Sequence, residues 1–301
     1  MIFLISSILF VFGLLFGSFF NVVTIRYNPD SQKLMSPRVV GGRSRCPLCA
    51  RTLRWFELFP LLSFLGLRGK CRTCREHISI QYPIVEFLSG CIFAGIPLFI
   101  NYFFGFSTML FYSMSAPWWH YMIALLWVII FCLFLLITII DLKHFIIPNG
   151  LNLLLGIFGA LYMGLLFYVR NDIPLFYDSF IRHYAMIFSP FHNIIYAHLF
   201  GFLIGGMFFV LLVLITLGRG IGIGDVKLAL ALGILLGWPD IILSIMFSFI
   251  IGGVISGGLV LIGKKHLKEK VPFAPFFIAG TLLVVFFGYT ILRSYFSVFG
   301  L

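Results

Sequence analysis

Two aspartates stand at the ends of hydrophobic stretches, where a charge is costly and therefore informative. Asp225 follows Gly222-Ile223-Gly224 and heads the apolar run 226–238, and Asp141 ends the apolar run 119–140. A carboxylate at the edge of a membrane segment is a functional hypothesis by default, although an aspartate at a helix N-terminus also faces the favourable end of the helix dipole. Because the chain has only ten acidic residues, two in such positions predict paired carboxylates that perform acid–base chemistry on one water molecule.

The expected mechanism follows from the repulsion between the two carboxylates. Two charges about 4 Å apart repel by roughly 4 kcal/mol at an effective dielectric constant of 20, so the pair shares one proton near neutral pH. The ionised member can take a proton from water while the protonated member polarises the group that the water attacks, without a covalent intermediate. Gly222 and Gly224 would let a substrate backbone approach closely. Lys227 either balances the developing charge or extends its amine to the membrane interface.

A second chemical signature is a set of four cysteines in the one sizeable polar insertion, residues 27–79. Two Cys-x-x-Cys pairs are typical of a zinc site, and four thiolates complete a tetrahedral site with no position left for water. Redox pairs or disulfides are the alternative, but a reducing cytoplasm disfavours stable disulfides. The sequence predicts a structural zinc ion worth on the order of 10 kcal/mol to folding of the loop. Its ligands would be Cys46, Cys49, Cys71 and Cys74.

The elements that must position these groups are membrane helices. The 301 residues are 61% hydrophobic and 10% charged, with a mean hydropathy of +1.10, which excludes a soluble globular protein. An apolar run at 226–238 is short and must tilt or thin the bilayer to cross it. We therefore expect an all-α polytopic membrane protein of about eight transmembrane helices with a small zinc-binding loop domain. The seven runs of sufficient length cover 2–25, 80–103, 119–140, 145–169, 195–217, 240–263 and 273–297.

The basic residues predict the orientation of these spans, since Lys and Arg are retained in cytoplasmic loops. Eleven of the 21 basic residues lie within 26–77, and alternate crossing places seven more, including the basic loop 264–270, on the same side. This count requires that the run 226–238 crosses. It predicts an N-terminus outside and both Asp141 and Asp225 at the cytoplasmic face. The net charge of +11 then reflects basic residues retained in cytoplasmic loops, and no nucleic acid partner is expected.

Four further polar residues lie in or beside the cysteine loop: Asn21, Arg26, Arg68 and Glu86. Asn21 and Glu86 lie within apolar spans, where a polar side chain needs a partner. For Asn21 the alternatives are a role in helix packing and a direct functional role. For Glu86 they are contact with the membrane interface and contact with a polar cavity.

In their order along nearly the whole chain, these motifs resemble those of the type IV prepilin peptidases. That family consists of GxGD-type membrane aspartic proteases that are also N-methyltransferases. By position, the resemblance implies that Asp141 and Asp225 are the catalytic pair. Two positions depart from the family pattern, since Lys143 and Asn149 stand where acidic residues are common, and altered surroundings rather than lost activity are expected. The matching motifs are Gly17-Ser18-Phe19 with Asn21 and Arg26, the two cysteine pairs, Leu67-Arg68-Gly69, Tyr82-Pro83 with Glu86, Asp141 with Ile147-Pro148, Gly222 to Asp225 with Lys227, and Pro272-Phe273.

The resemblance implies a function with two steps. The substrates would be type IV prepilins or pseudopilins, cleaved after a glycine at the cytoplasmic end of a membrane helix, and the freed amine would be methylated from S-adenosylmethionine. The resemblance also implies that the chain is embedded in the lipid of the bacterial cytoplasmic (inner) membrane. There it would serve a type IV pilus or a type II secretion system. The chain has no Gly-x-Gly-x-x-Gly fingerprint after a strand. The family-like positions Asn21, Arg26, Arg68 and Glu86 are therefore the candidate methyltransferase and cofactor residues.

The expected division of the chain is 1–25 as the first span, 26–79 as the cytoplasmic zinc-binding loop domain with the methyltransferase part, and 80–301 as the transmembrane peptidase domain. Three alternatives stay open: a peptidase without methyltransferase activity, a proton-coupled transporter that uses both aspartates as a relay, and a scaffold for pilin assembly proteins. Substitution of Asp141 and Asp225 by asparagine separates the peptidases from the other two classes.

Overall fold

A computed structural model of the protein describes residues 2–29, 41–46, 49–105, 116–173, 176–188, 193–218, 220–263 and 271–298. Of the basic residues used to predict the orientation, Lys33, Arg38, Arg219 and the loop 264–270 lie outside this part. The helices in chain order are α1 (Ile2–Arg26), α2 (Leu62–Gly66), α3 (Gln81–Phe103), α4 (Trp118–His144), α5 (Asn149–Tyr168), α6 (Ala185–Phe188), α7 (Ile194–Thr216), α8 (Ile223–Leu236), α9 (Asp240–Leu261) and α10 (Ala274–Val298).

The all-helical membrane fold predicted from hydropathy is confirmed. Seven helices, α1, α3, α4, α5, α7, α9 and α10, are long and apolar enough to cross a membrane. The expected eighth element is α8, which has 14 residues and is therefore about 21 Å long at 1.5 Å per residue. Since a hydrocarbon core is about 30 Å thick, α8 is too short to cross without tilt or local thinning of the bilayer.

The chain forms two compact units, Met1–Leu136 and Ile137–Leu301, which divide within α4. The first unit contains α1, α3 and the polar insertion with its four cysteines. The second contains α5 to α10 and both candidate catalytic aspartates. Each unit has helix packing of its own.

In the first unit, α1 packs along α3. The two backbones approach closely at Gly17, where a Cβ atom would lie 2.6 Å from the Cα atom of Glu86. Small residues at membrane helix interfaces permit such contact. Asn21 is buried in the same interface, where its Nδ2 donates to the carbonyl oxygen of Tyr82 (3.1 Å) and its Oδ1 accepts from Nε2 of Gln81 (3.4 Å). These contacts fix the start of α3, and hence Glu86, beside the end of α1.

In the second unit, α8 packs against both α5 and α7, and α9 packs against α10. The backbones of α7 and α8 approach closely at Gly233, where a Cβ atom would lie 2.5 Å from the carbonyl oxygen of Gly201. Leu228, Leu232 and Leu235 lie at helical spacing on α8 and are fully buried. Although α8 is short, this packing fixes its first turn, which carries Asp225.

Asp240 is an additional buried carboxylate in the second unit, at the start of α9. Its two oxygens accept hydrogen bonds from the hydroxyl of Ser179 and the backbone N–H of Phe180, both at 2.8 Å. Both carboxylate oxygens thus have protein donors, as a buried polar group requires. Asp240 therefore holds the loop that precedes α6 against α9, which is a structural task.

Candidate active site

Asp141 lies in the last turn of α4 and is only 5% exposed. Its Oδ2 accepts a hydrogen bond from the backbone N–H of Ala274 at 3.2 Å. Ala274 is the first residue of α10, and the N–H groups at a helix start have no partner within the helix and favour an anion. The residue that follows the family-like motif Pro272-Phe273 thus delivers the donor that positions Asp141.

Asp225 lies in the first turn of α8 and is partly exposed. Its Oδ2 accepts a hydrogen bond from the backbone N–H of Gly222 at 3.0 Å. The four residues Gly222 to Asp225 therefore fold back on the carboxylate and fix its orientation. The exposed part of the side chain is available to a substrate.

The two carboxylates are close enough to interact electrostatically. Within the described residues, neither one forms an ion pair with a basic side chain. The structure thus brings together the two aspartates that the sequence singled out and places them in unequal surroundings, one buried and one partly exposed. Unequal surroundings of two neighbouring carboxylates favour different protonation states, as acid–base chemistry requires.

Asn152 is a residue near this site that the sequence analysis missed. It lies on α5, is buried, and its Nδ2 donates to the carbonyl oxygen of Gly224 at 3.5 Å. A Cβ atom at Gly224 would be 3.5 Å from the Cβ of Ile147, so α5 and the segment before it support the glycine backbone. The available signal was the spacing of Asn149 and Asn152, which places two polar side chains on one helix face.

Lys227 contacts the start of α5. Its Nζ donates to Oδ1 of Asn149 at 2.7 Å, whereas no ion pair with Asp141 or Asp225 is formed within the described residues. Asn149 is one of the two positions that depart from the family pattern. A neutral amide therefore still holds the lysine, which links α8 to the start of α5.

In the first unit, the four predicted metal ligands Cys46, Cys49, Cys71 and Cys74 cluster, with all four sulfur atoms within 4.8 Å of one another. A tetrahedral zinc site with Zn–S bonds of about 2.3 Å places its sulfur atoms roughly 3.8 Å apart. The Sγ atoms of Cys46 and Cys74 are 4.0 Å apart. The cluster could hold a metal ion after only small movements.

Among the described residues, the two cysteine pairs have equivalent backbone contacts. The N–H of Cys46 donates to the carbonyl oxygen of Arg51 (2.9 Å), and the N–H of Cys71 donates to that of Glu76 (2.8 Å). The residue that follows the second cysteine of each pair has a positive φ. This angle is 55° at Ala50 and 56° at Arg75. Two matching loops present two sulfur atoms each, which is the arrangement of a four-cysteine site.

The protonation of these thiols reflects their local donors. The N–H groups of Cys74 and Thr73 lower the pKa of Cys71 to about 6. The N–H of Glu76 also favours the thiolate of Cys74, but burial and the neighbouring sulfur atoms raise the pKa of that thiol to about 11. Four thiolates this close therefore need a cation between them, because metal ligation requires each one to be deprotonated.

A cavity lies in the first unit, between the end of α1, the cysteine loop and the start of α3. Glu57 lines it and is paired with Arg51, whose Nη2 donates to Oε1 at 2.6 Å. Burial alone would raise the pKa of Glu57, but the N–H of Arg54 and the guanidinium of Arg51 outweigh it and hold that pKa below its usual value. The apolar walls are Val22, Ile25, Leu53, Leu58, Phe64, Leu67, Ile78 and the ring of Tyr82.

The four candidate methyltransferase residues are distributed unequally around this cavity. Glu86 and Arg26 line it. Arg26 donates to the carbonyl oxygens of Gly41 and Arg43, so it also holds the loop that follows α1. Asn21 is buried in the α1–α3 interface, and Arg68 is exposed and absent from the cavity lining.

Comparisons with known proteins gave two family matches along the chain. Residues 11–100 match the model of the bacterial peptidase A24 N-terminal domain, and residues 127–257 match that of the type IV leader peptidase family. Three relatives are prepilin leader peptidase/N-methyltransferases. The protein from Bacillus subtilis (strain 168) is 31% identical over 96% of this chain and 97% of its own length. That from Aeromonas hydrophila is 30% identical over 97% and 94%, and that from Pseudomonas aeruginosa is 27% identical over 94% and 90%.

No solved structure matches the chain. The curated relatives nevertheless cover almost its full length, and the two family matches contain the cysteine cluster and the two aspartates. The chain belongs to the type IV leader peptidase family.

Proposed function

We propose that this chain is a bifunctional membrane enzyme that removes the basic leader from type IV prepilins or pseudopilins and then N-methylates the new N-terminus. The observation that carries this proposal is the pair of interacting carboxylates, Asp141 and Asp225, each fixed by a backbone N–H at a helix start. The names of the relatives support the same two reactions.

In the cleavage step, Asp141 and Asp225 share one proton. The ionised carboxylate takes a proton from water, and the resulting hydroxide adds to the carbonyl carbon of the scissile peptide. The protonated carboxyl group donates to the carbonyl oxygen and stabilises the negative charge that forms there. When the C–N bond breaks, the departing amine receives a proton from the pair. Leader and pilin are released without a covalent intermediate.

The methylation step uses the cavity in the first unit. S-adenosylmethionine, when bound, supplies an electrophilic methyl group. The cavity has apolar walls with charged residues at defined points, which suits a nucleoside carrying charged groups. Glu86 and Arg26 line the space, whereas Asn21 positions α1 against α3. Arg68 is proposed to act at the outer side of the loop.

The cysteine cluster is proposed to bind one structural zinc ion, and the charge distribution supports the orientation. The N-terminus would lie outside, with the loop domain 26–79 and both aspartates at the cytoplasmic face of the inner membrane. The prepilin leader is basic and stays in the cytoplasm in this scheme. The region 80–301 would then carry the peptidase chemistry, surrounded by lipid.

Purified protein in detergent tests the two steps together. A prepilin incubated with it and with S-adenosylmethionine should first lose the mass of the leader and then gain the mass of one methyl group. This order is expected because only cleavage supplies a free amine. A scaffold or a transporter would leave the mass of the prepilin unchanged, and a peptidase alone would give the shortened product without the methyl group.

A further inference from the structure

Glu86 is a buried carboxylate whose charge has no basic partner among the described residues. It is 7% exposed and lines the cavity of the first unit. Its Oε2 accepts from the backbone N–H of Leu61 at 2.9 Å, and the hydroxyl of Ser18 is a second donor. Two neutral donors orient the carboxylate but do not neutralise it.

The other carboxylate that lines the cavity, that of Glu57, differs because it has a basic partner. Glu57 forms an ion pair with Arg51 at 2.6 Å and also accepts from the N–H of Arg54 at 2.8 Å. Its charge is therefore already balanced by a guanidinium. Arg26, Arg45 and Arg72 also line the cavity, but none of them forms an ion pair with Glu86 within the described residues.

Burying an ionised carboxylate without a basic partner costs folding free energy. A neutral residue at position 86 of the apolar helix α3 would avoid this cost. The cost is recovered when a cation enters the cavity and binds the carboxylate, because the interaction between opposite charges strengthens as water is excluded.

Building on the proposed methyltransferase function, we propose that Glu86 binds the positive charge of a methyl-transfer partner in this cavity. Two positively charged groups take part in the transfer itself, the sulfonium of S-adenosylmethionine and the α-ammonium of a cleaved pilin, whereas the α-ammonium of the methyl donor does not react. In the transfer, the ammonium first gives up a proton to water, and the amine lone pair then forms the N–C bond. The C–S bond breaks with its electron pair left on sulfur, which gives a neutral thioether.

Binding measurements with charged and neutral ligands test this role without relying on turnover. S-adenosylhomocysteine lacks only the sulfonium methyl group and its charge, and an N-acetylated pilin peptide carries a neutral acetamide in place of the ammonium. Calorimetry with purified wild type, Glu86→Gln and the matched control Glu76→Gln should measure both preferences. Glu76 is exposed and lies outside the cavity lining.

Wild type and Glu76→Gln should prefer the charged member of at least one pair. Glu86→Gln should lose that preference by about tenfold, the size expected for one contact to a charged group, while it keeps the zinc content of the wild type. Loss of the sulfonium preference assigns Glu86 to the methyl donor, and loss of the ammonium preference assigns it to the pilin. Retention of both preferences would overturn the proposal. A wild type that binds neither S-adenosylmethionine nor the peptide would contradict the methyltransferase function itself, and the inference with it.

Discussion

Replacing either Asp141 or Asp225 by asparagine should abolish leader cleavage and leave insertion into the membrane intact. Asparagine keeps the size of the side chain and an oxygen that can accept from Ala274 or Gly222, so the helix ends should remain in place. It cannot accept a proton from water or return one to the amine. Since acid–base catalysis contributes about 10²–10⁴-fold, each variant should lose at least about a hundredfold of the cleavage rate.

The rate is best measured on a prepilin in membranes that contain each variant, by separation of the shortened product over time. Asp172→Asn is a suitable control, because Asp172 is an exposed acid that follows α5. It should cleave like the wild type. Asp141→Asn or Asp225→Asn cleaving at the wild-type rate, with normal insertion, would rule out the aspartate pair.

Replacing Cys46 or Cys71 by serine should remove the bound zinc and unfold the cysteine loop. A single serine leaves three thiolates and an incomplete site, and metal binding supplies on the order of 10 kcal/mol in small zinc domains. The loop has few other means of support, since its described secondary structure is one short helix, a 3₁₀ turn and two isolated bridges. Zinc content should fall from about one ion per chain to near zero, and proteolysis within 41–79 should become much faster.

Cys91→Ser provides the matched control for these variants. Cys91 lies on α3 and does not belong to the cluster, so the variant should retain both zinc and protease resistance. Zinc absent from wild-type protein purified without chelator would overturn the metal assignment. Full zinc content in Cys46→Ser or Cys71→Ser would show that the ion lies elsewhere.

The membrane helices could be predicted from the sequence because burial in lipid demands long apolar runs. The run 119–140 became α4, which extends to His144, since a helix continues into polar residues that hydropathy excludes. The cysteine cluster was predictable for a similar reason: ligand spacing is a local property. Its four sulfur atoms converge as the spacing indicated.

The hydrogen bonds and ion pairs between separate residues of the chain could not be predicted in this way. Arg26 donates to the carbonyl oxygens of the following loop, Glu57 pairs with Arg51, and Asn152 supports Gly224. Each contact depends on the path of a loop or on the rotation of a helix, which a single sequence does not encode locally. The roles of the candidate site residues, the domain boundaries and the orientation in the membrane stay predictions.

The central claim is that Asp141 and Asp225, which belong to the second unit, perform cleavage, whereas residues of the first unit perform methyl transfer. The most direct test is the intact mass of two substrates after incubation with the Asp141→Asn/Asp225→Asn double variant and S-adenosylmethionine. We expect a full-length prepilin to keep its mass and an already processed, unmethylated pilin to gain one methyl group. Shortening of the prepilin by the double variant would contradict the claim. So would a double variant that binds the processed pilin without methylating it while the wild type does.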